Sequence, residues 1–203
     1  IPMRQNLPVS QREYPFPHGV TLMSTTDVQS HLTYANQAFI EVSGFEREEI
    51  VGQPHNVVRH PDMPVQAFAD MWATLKRGHS WTALVKNRRK DGDHYWVRAN
   101  ATPMKRNGQV TGYLSVRTRP QAQEVQQAEE LYRRFREGRA GTQAFHCGLI
   151  VRTGLMAWTS LPQRLSVRGR IRLACGFAAA LPLAAASVAG FAGLPLLVLT
   201  GAM

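Results

Sequence analysis

The densest group of chemically active side chains in this sequence lies between Gly52 and Pro64. These thirteen residues hold one arginine, two histidines, one aspartate and one asparagine among three prolines. The prolines exclude a long regular helix, so the segment is expected to form a rigid turn. Two interpretations stay open: the polar groups all face water, or Arg59 meets an anionic or carbonyl group of a ligand. The second makes the segment one wall of a pocket.

Aromatic and amide side chains follow at spacings that would let them share such a pocket. Four large apolar residues from Phe68 to Leu75 recur at i, i+3, i+4 and i+7, which predicts a helix beginning near Pro64. Trp81 then opens an alternating stretch that reaches Asn87, whose side-chain amide both donates and accepts hydrogen bonds. Core packing explains the apolar stripe equally well.

Short strands and helices that precede the 52–64 segment are expected to position it. Residues 21–26 and 31–35 are strand candidates, rich in β-branched and aromatic side chains. Asn36 is suited to cap a short helix that Gly44 ends, and residues 46–51 supply a further helical turn.

Two hairpin signals follow the long helix. Asp91-Gly92 and Asn107-Gly108 are two-residue turn sequences between stretches of alternating polarity. Residues 81–118 are therefore predicted to form a three-stranded antiparallel meander. Beyond Pro120, apolar residues at helical spacing predict a helix over 121–137, which could pack on a partner copy.

The net charge of +10 is concentrated before a long apolar run. Six arginines and no acidic residue lie between Arg139 and Arg172, and residues 173–203 carry no charge over 31 positions. This length exceeds the roughly 20 residues that cross a bilayer, and the arginines are typical of a cytoplasmic flank. No nucleic-acid-binding motif accompanies the charge, so DNA or RNA binding is not expected. The cysteines, Cys147 and Cys175, form no metal or disulfide pattern.

The chain is thus expected to divide into four parts. Residues 1–20 form an N-terminal cap, 21–120 a globular domain, 121–172 a linker made of the helix and a basic connector, and 173–203 a membrane-anchor segment.

Residues 21–120 also show the element order of a PAS domain: two strands, short helices, one longer helix and a three-stranded meander. The sequence resembles the aerotaxis-receptor family of bacterial PAS sensors in five strings: LMSTTD (22–27), GQPHN (52–56), RHPDMP (59–64), KNRRK (86–90) and GDHYWVRANA (92–101). The resemblance implies an α+β fold, with a five-stranded antiparallel sheet flanked by short helices, followed by a helical linker and a hydrophobic membrane segment.

The same resemblance implies a non-enzymatic redox and oxygen sensor that binds FAD non-covalently. It further implies a homodimer in the bacterial inner membrane, with the PAS domain in the cytoplasm. In that family a HAMP module and a signalling region follow and control a chemotaxis histidine kinase. Neither has a counterpart in these 203 residues, so this chain is expected to sense without signalling by itself.

The resemblance assigns seven residues to flavin binding, and the helical stripe adds Trp72: the set is Asn36, Arg59, His60, Asp62, Phe68, Trp72, Trp81 and Asn87. A flavin ring needs apolar faces above and below it and hydrogen-bond partners along its edge, which the indole of Trp81 and the amide of Asn87 would supply. Simpler roles stay open for Phe68 and Trp72 as core, for Asn36 as a helix cap, and for His60 with Asp62 as mutual partners. No catalytic or metal-binding group is expected.

Four other functional classes compete with a flavin redox sensor. A light-sensing flavin domain forms an adduct with a cysteine, and residues 21–120 contain none. A haem-binding PAS sensor needs one proximal histidine, and His55, His60, His79 and His94 are available. A PAS domain without ligand would act as a dimerisation module. An enzyme is disfavoured because no nucleophile with a base, metal cluster or phosphate-binding loop is visible.

Overall fold

A computed structural model describes residues 6–160, 169–172, 174–176 and 178, and the chain divides into two compact units, 1–154 and 155–203. The described part of the first unit contains seven strands and four α-helices, with a 3₁₀ turn at His55–Val58 before α3. In chain order they are β1 Leu22–Thr26, β2 Leu32–Ala35, α1 Gln37–Ser43, α2 Arg47–Ile50, α3 Val65–Lys76, β3 Trp81–Arg88, β4 His94–Arg106, β5 Gln109–Thr118, α4 Ala122–Arg136, β6 Gln143–His146 and β7 Leu149–Arg152.

The first five strands form one antiparallel sheet in the order β2-β1-β5-β4-β3. The predicted five-stranded sheet and its meander are therefore confirmed. Asn107 and Gly108 both have positive φ, 51° and 80°, which matches the right-handed twist of the strands that they join. The β3–β4 connection spans residues 89–93, so the two-residue turn predicted at Asp91-Gly92 is wrong, although Gly92 has φ 98° within that connection.

Capping fixes the short helix α1 as the sequence predicts. Asn36 has extended backbone angles, and its side-chain oxygen accepts a hydrogen bond from the Phe39 N–H. Gly44 ends the helix in the left-handed region, at φ 71°, and its N–H donates to the Ile40 carbonyl. Both helix ends are thus satisfied locally.

The two faces of the sheet are covered by different helices. On one face, α3 packs over residues such as Trp81 and Ala101. On the other face lies α4, where the Tyr132 hydroxyl donates to the Leu84 carbonyl at 2.7 Å and the ring lies 6.0 Å from Trp96. The apolar side of this helix packs largely on its own sheet, and its contact with a partner copy stays a prediction.

The N-terminal segment is extended, as expected, and closes one end of the domain. Glu13 pairs with His94, and the Phe16 ring is 2% exposed in the core. The Asn6 amide donates to the carbonyls of Asn56 and Arg59, each at 2.8 Å. The segment therefore ties down the turn on which Arg59 lies.

Part of the expected connector is ordered as the hairpin β6–β7. Its two-residue turn has Cys147 at φ 52° and Gly148 at φ 84°. Sequence reasoning missed this hairpin because a cysteine is unusual at the first left-handed position, and four-residue strands give little alternation.

The second unit is described only in part. A 3₁₀ helix spans Gly154–Ser160, and residues 169–172 and 174–176 are helical. The membrane-anchor prediction falls on 173–203, which lies outside the described residues apart from 174–176 and 178. In the described part, every helix is too short or too polar to span a bilayer.

Candidate ligand cavity

A cavity of about 180 Å³ lies between the sheet, the 3₁₀ turn at His55–Val58 and helix α3. This volume is below the roughly 300–1,000 Å³ of typical small-molecule pockets, so the enclosed space suits one compact ring system. The residues that line it are mainly apolar, with polar groups at intervals: Thr26, Ser30, His55, Asn56, Val58, Arg59, Phe68, Met71, Trp72, Leu75, Trp81, Val85, Asn87, Ala99, Ala101, Tyr113, Ser115 and Arg117.

Five of the eight predicted site residues line this cavity: Arg59, Phe68, Trp72, Trp81 and Asn87. Two elements bring them together. The prolines and the 3₁₀ turn direct the chain of the 52–64 segment back to the sheet, where the backbone of Arg59 pairs with that of Asn87 at the end of β3. The stripe on α3 then faces the same space.

Arg59 belongs to the cavity lining and lies over an aromatic ring, and one of its buried nitrogens has no partner among the described residues. Its guanidinium carbon is 3.7 Å from the centroid of the Phe68 ring. Burial lowers the pKa of Arg59 to about 10, although the group stays charged at neutral pH. Among the described residues, nothing accepts a hydrogen bond from its Nη2. A buried cationic donor left in this way favours a ligand that supplies an acceptor.

Asn87 places a buried side-chain amide in the same lining. The residue is 3% exposed, and its amide interacts with the hydroxyl of Tyr95, its cross-strand partner on β4. The backbones of Arg59 and Asn87 pair with each other, so both side chains add polar groups to one part of the cavity wall.

Aromatic rings form much of the remaining wall. Trp72 meets Tyr113 edge to face, with ring centroids 5.4 Å apart. Trp81 is 1% exposed, and its indole N–H donates to the Asp70 carboxylate at 2.8 Å. These contacts fix the orientation of the rings in the cavity lining.

A buried arginine on β5 is the site residue that sequence reasoning missed. Arg117 is 3% exposed, and its guanidinium donates to the Ser24 hydroxyl at 3.1 Å and lies 2.5 Å from Nε2 of His55. Within the described ranges no carboxylate pairs with it. The alternation of β5 could have indicated this residue, because Arg117 lies on the same inward face of the strand as Tyr113 and Ser115.

The side chains of His55 and Arg117 both have unusual pKa values because they are buried. Burial lowers the pKa of His55 to about 3, with a further contribution from the charge of Arg117. Burial likewise lowers the pKa of Arg117 to about 10. At neutral pH the imidazole is therefore neutral and accepts a hydrogen bond, and the guanidinium brings a positive charge to the cavity.

Three predicted site residues lie away from the cavity lining. Asn36 uses its whole amide in the fold: it accepts from the N–H groups of Phe39 and Met23 and donates to the Thr21 carbonyl. The geometry agrees with its simpler role as a helix cap. Any part that it plays in cofactor binding stays a prediction.

His60 and Asp62 belong to a polar cluster behind the turn. His60 is fully buried, and its Nδ1 accepts from the Asp62 N–H at 3.1 Å. The Asp62 carboxylate accepts from Nζ of Lys86 at 3.0 Å, and Lys86 also reaches Glu129 on α4 at 3.1 Å. These contacts stabilise the turn beside Arg59, so both residues support the cavity wall from outside.

Neither haem ligation by a histidine nor metal binding is favoured in this cavity. Of the four candidate haem ligands, only His55 lines the cavity, and its Nε2 is engaged by Arg117. The parts of the chain that the structure describes contain no group of three or more His, Cys, Asp or Glu side chains placed to bind a metal ion.

Comparison with known proteins agrees with the fold. A family model described as PAS fold matches residues 32–117. The aerotaxis receptor of Escherichia coli (strain K12) is 53% identical over 166 residues, which are 81% of this chain and 33% of the receptor. The nitrogen fixation regulatory protein of Klebsiella pneumoniae is 28% identical over 95 residues, or 46% of this chain and 19% of that protein.

Among solved structures, the chain is similar to one described as "Flavin Analogue Sheds Light on Light-Oxygen-Voltage Domain Mechanism", with a TM-score of 0.49 and 21% identity over 58% of this chain and 87% of that one. The chain spans about a third of the aerotaxis receptor's length. The family match and the 53% identity establish that residues 32–117 belong to the PAS family, in a chain homologous to the aerotaxis receptor.

Proposed function

We propose that this chain is the sensor part of an aerotaxis receptor and that its cavity binds FAD non-covalently. The observation that carries the proposal is the buried cation of Arg59, whose Nη2 has no partner in the described part of the chain, in a cavity lined by aromatic rings and the amide of Asn87. A flavin ring offers flat apolar faces and an edge rich in acceptors, which suits such a wall.

The residues present fit a flavin in distinct roles. Asn87 would bond the polar edge of the ring, and Trp81 and Phe68 would contact its faces. Arg59 and Arg117 would hold the negative charge of the reduced ring or of the pyrophosphate. Bound there, FAD would supply reversible electron transfer. The cavity is too small for all of FAD, so the adenosine part would lie outside it.

Redox sensing follows if the two oxidation states of the ring interact differently with these side chains. Only such a difference can shift the protein between two conformations. The relay to a HAMP module and a chemotaxis kinase, together with dimer formation, belongs to the whole receptor and is part of this proposal. Sensing of this kind requires no enzymatic step.

Flavin recovery tests the proposal directly. Purified protein is expected to show paired absorption bands in the blue and near ultraviolet, and heating should release about one FAD per chain. Dithionite should bleach the bands reversibly. A Soret band, release of FMN, or colourless protein would refute FAD binding; colourless, folded protein would favour a dimerisation module.

Replacing Asn87 with aspartate is expected to lower the flavin midpoint potential. The new carboxylate would face the ring edge and oppose the negative charge of its reduced form. A shift of roughly 30 mV corresponds to about 1.4 kcal/mol for a two-electron couple. Asn100→Asp is the matched control, because Asn100 is exposed on the opposite face of β4. Equal potentials in both variants and the parent would assign Asn87 a structural role only.

We also propose that residues 173–203 begin a membrane hairpin whose two ends face the cytoplasm. The support is the charge-free run after the basic residues up to Arg172. At 1.5 Å per residue it would extend about 46 Å as a helix, against a hydrocarbon core of about 30 Å. Pro182 and Pro195, with the glycines between them, offer places to turn.

Accessibility labelling tests this topology in the full-length receptor. Single cysteines from Ser187 to Gly193 should react with a membrane-impermeant thiol reagent in intact cells, and reporter fusions after the apolar run should give a cytoplasmic signal. A periplasmic signal from those fusions would instead establish a single crossing.

A further inference from the structure

The turn of the β6–β7 hairpin is held to the cavity wall by one carboxylate. Asp70 lies on α3, next to Met71 of the cavity lining. Its Oδ1 accepts from the Cys147 N–H at 2.9 Å, and its Oδ2 accepts from the Gly148 N–H at 2.7 Å. The same Oδ2 accepts from the indole N–H of Trp81 at 2.8 Å. A ring that lines the cavity and two consecutive turn amides therefore share one acceptor group.

The turn has little freedom to adjust by itself. Cys147 adopts a left-handed conformation, at φ 52°, which residues with a side chain disfavour. A Cβ atom on Gly148 would lie only 2.0 Å from the carbonyl oxygen of Thr82, the residue after Trp81 on β3. Because Gly148 is closely packed and Cys147 has a strained backbone, the turn is sensitive to any displacement of the Asp70 carboxylate.

The hairpin also contacts the helix on the other face of the sheet. The Phe145 ring lies 4.7 Å from that of Phe135 and 5.8 Å from that of Tyr132, both on α4. Its second strand, β7, is the last strand before the boundary of the first unit at Gly154. A change at the hairpin turn therefore occurs in the segment that carries the chain out of the PAS unit.

We propose that Asp70 is a positioning residue that couples the cavity wall at Trp81 to the hairpin turn at Cys147 and Gly148. A ligand-dependent movement of the indole changes its hydrogen bond to Oδ2, and the shared carboxylate passes that change to the two turn amides. The identity of the ligand rests on the proposed function, but the coupling from Trp81 to the turn does not.

Hydrogen exchange of the full chain, followed by mass spectrometry of peptides covering 143–152, tests the coupling without any ligand. Asp70→Asn should accelerate exchange of the turn amides about tenfold or more. The two carboxylate oxygens of Asp70 accept hydrogen bonds from three donors, whereas an asparagine side chain offers only one acceptor oxygen. Trp81→Phe keeps an aromatic ring but removes the indole N–H, and it should accelerate exchange by a smaller factor.

The double variant separates coupling from two independent structural effects. If Trp81 acts through Asp70, adding Trp81→Phe to Asp70→Asn should produce no further acceleration. Glu48→Gln, which changes an exposed carboxylate on α2, is the control and should match the parent. No effect of Trp81→Phe on these peptides, or full additivity of the two effects, would overturn the proposal.

A second experiment measures how the β6–β7 hairpin responds to the ligand itself. In protein loaded with FAD, exchange over 143–152 should differ between the oxidised and the dithionite-reduced states, and Asp70→Asn should abolish that difference at equal flavin content by absorbance. A difference that persists in Asp70→Asn, or none in the parent, contradicts the coupling. If the parent binds no FAD, the proposed function fails, and the ligand-free double-variant experiment still decides the role of Asp70.

Discussion

Replacing Arg59 with alanine is expected to reduce FAD affinity at least tenfold. The Arg59 guanidinium stacks on Phe68 in the cavity lining, and its buried Nη2 has no partner in the described part of the chain. A hydrogen bond to a charged group contributes roughly 1.5–3 kcal/mol, and 1.4 kcal/mol corresponds to a tenfold change in affinity. Flavin absorbance per folded chain after gel filtration, followed by titration with FAD, measures the loss.

Arg106→Ala provides the matched control for that experiment. Arg106 is exposed at the end of β4, away from the cavity lining. Arg47 is also exposed but is less suitable, because its guanidinium donates to the Ala35 carbonyl at 2.7 Å. Equal flavin content in Arg59→Ala and Arg106→Ala, at equal folding by circular dichroism, would remove Arg59 from the binding site.

Acidification from pH 7 to pH 4 is expected to remove about 3 kcal/mol of folding stability through His60 alone. Burial of the ring, with the nearby charge of Lys86, lowers the pKa of His60 from 6.5 to about 4. Asp62 opposes this shift, while His94 and Arg136 add to it. The group is neutral in the folded chain at pH 5, where an unfolded chain would already be protonated.

The direction of the effect follows from proton uptake on unfolding. Above pH 6.5 the imidazole is neutral in both states, so the stability is fully present. Between pH 6.5 and about 4 only the unfolded chain binds the proton, and stability falls as the pH falls. At about 1.36 kcal/mol per pH unit, this window gives about 3 kcal/mol. His55, with a pKa of about 3, adds to the same slope.

Urea denaturation of the full chain at pH 7, 6, 5 and 4 measures this dependence. His60→Gln should lose stability at pH 7 but show a shallower decline towards pH 4 than the parent. His79→Gln, on the exposed turn after α3, is the control, and its decline should follow that of the parent. An identical slope in His60→Gln and the parent would show that His60 titrates normally in the folded protein.

The sequence alone determined the parts of this protein that depend on local chemistry. Asn36 and Gly44 delimit α1 because a capping side chain and a left-handed glycine act within one helical turn. Asn107-Gly108 forms the two-residue β4–β5 turn for the same reason, whereas the β3–β4 connection is longer than Asp91-Gly92 predicted. The order of elements and the strings shared with the family together predict a PAS fold. The five-stranded sheet and the family match confirm it.

The cavity was only partly visible in the sequence. Helical spacing placed Phe68 and Trp72 on one stripe, and strand alternation placed Trp81 and Asn87 on one face, so these four could be expected near each other. Arg59 joins them through a backbone pairing with Asn87 that no local period encodes. The resemblance suggested that residue, whereas the geometry explains how it reaches the cavity.

Only the tertiary structure decided which polar side chains act as partners. Arg117 approaches His55 across 62 positions, and Lys86 reaches Asp62 across 24 and Glu129 across 43. The carboxylate of Asp70 binds the amide of Gly148 across 78 positions. Such contacts depend on how α3, α4 and the hairpin pack on the sheet. Periodicity and capping act over a few residues, so the sequence could neither identify all of these side chains nor pair them.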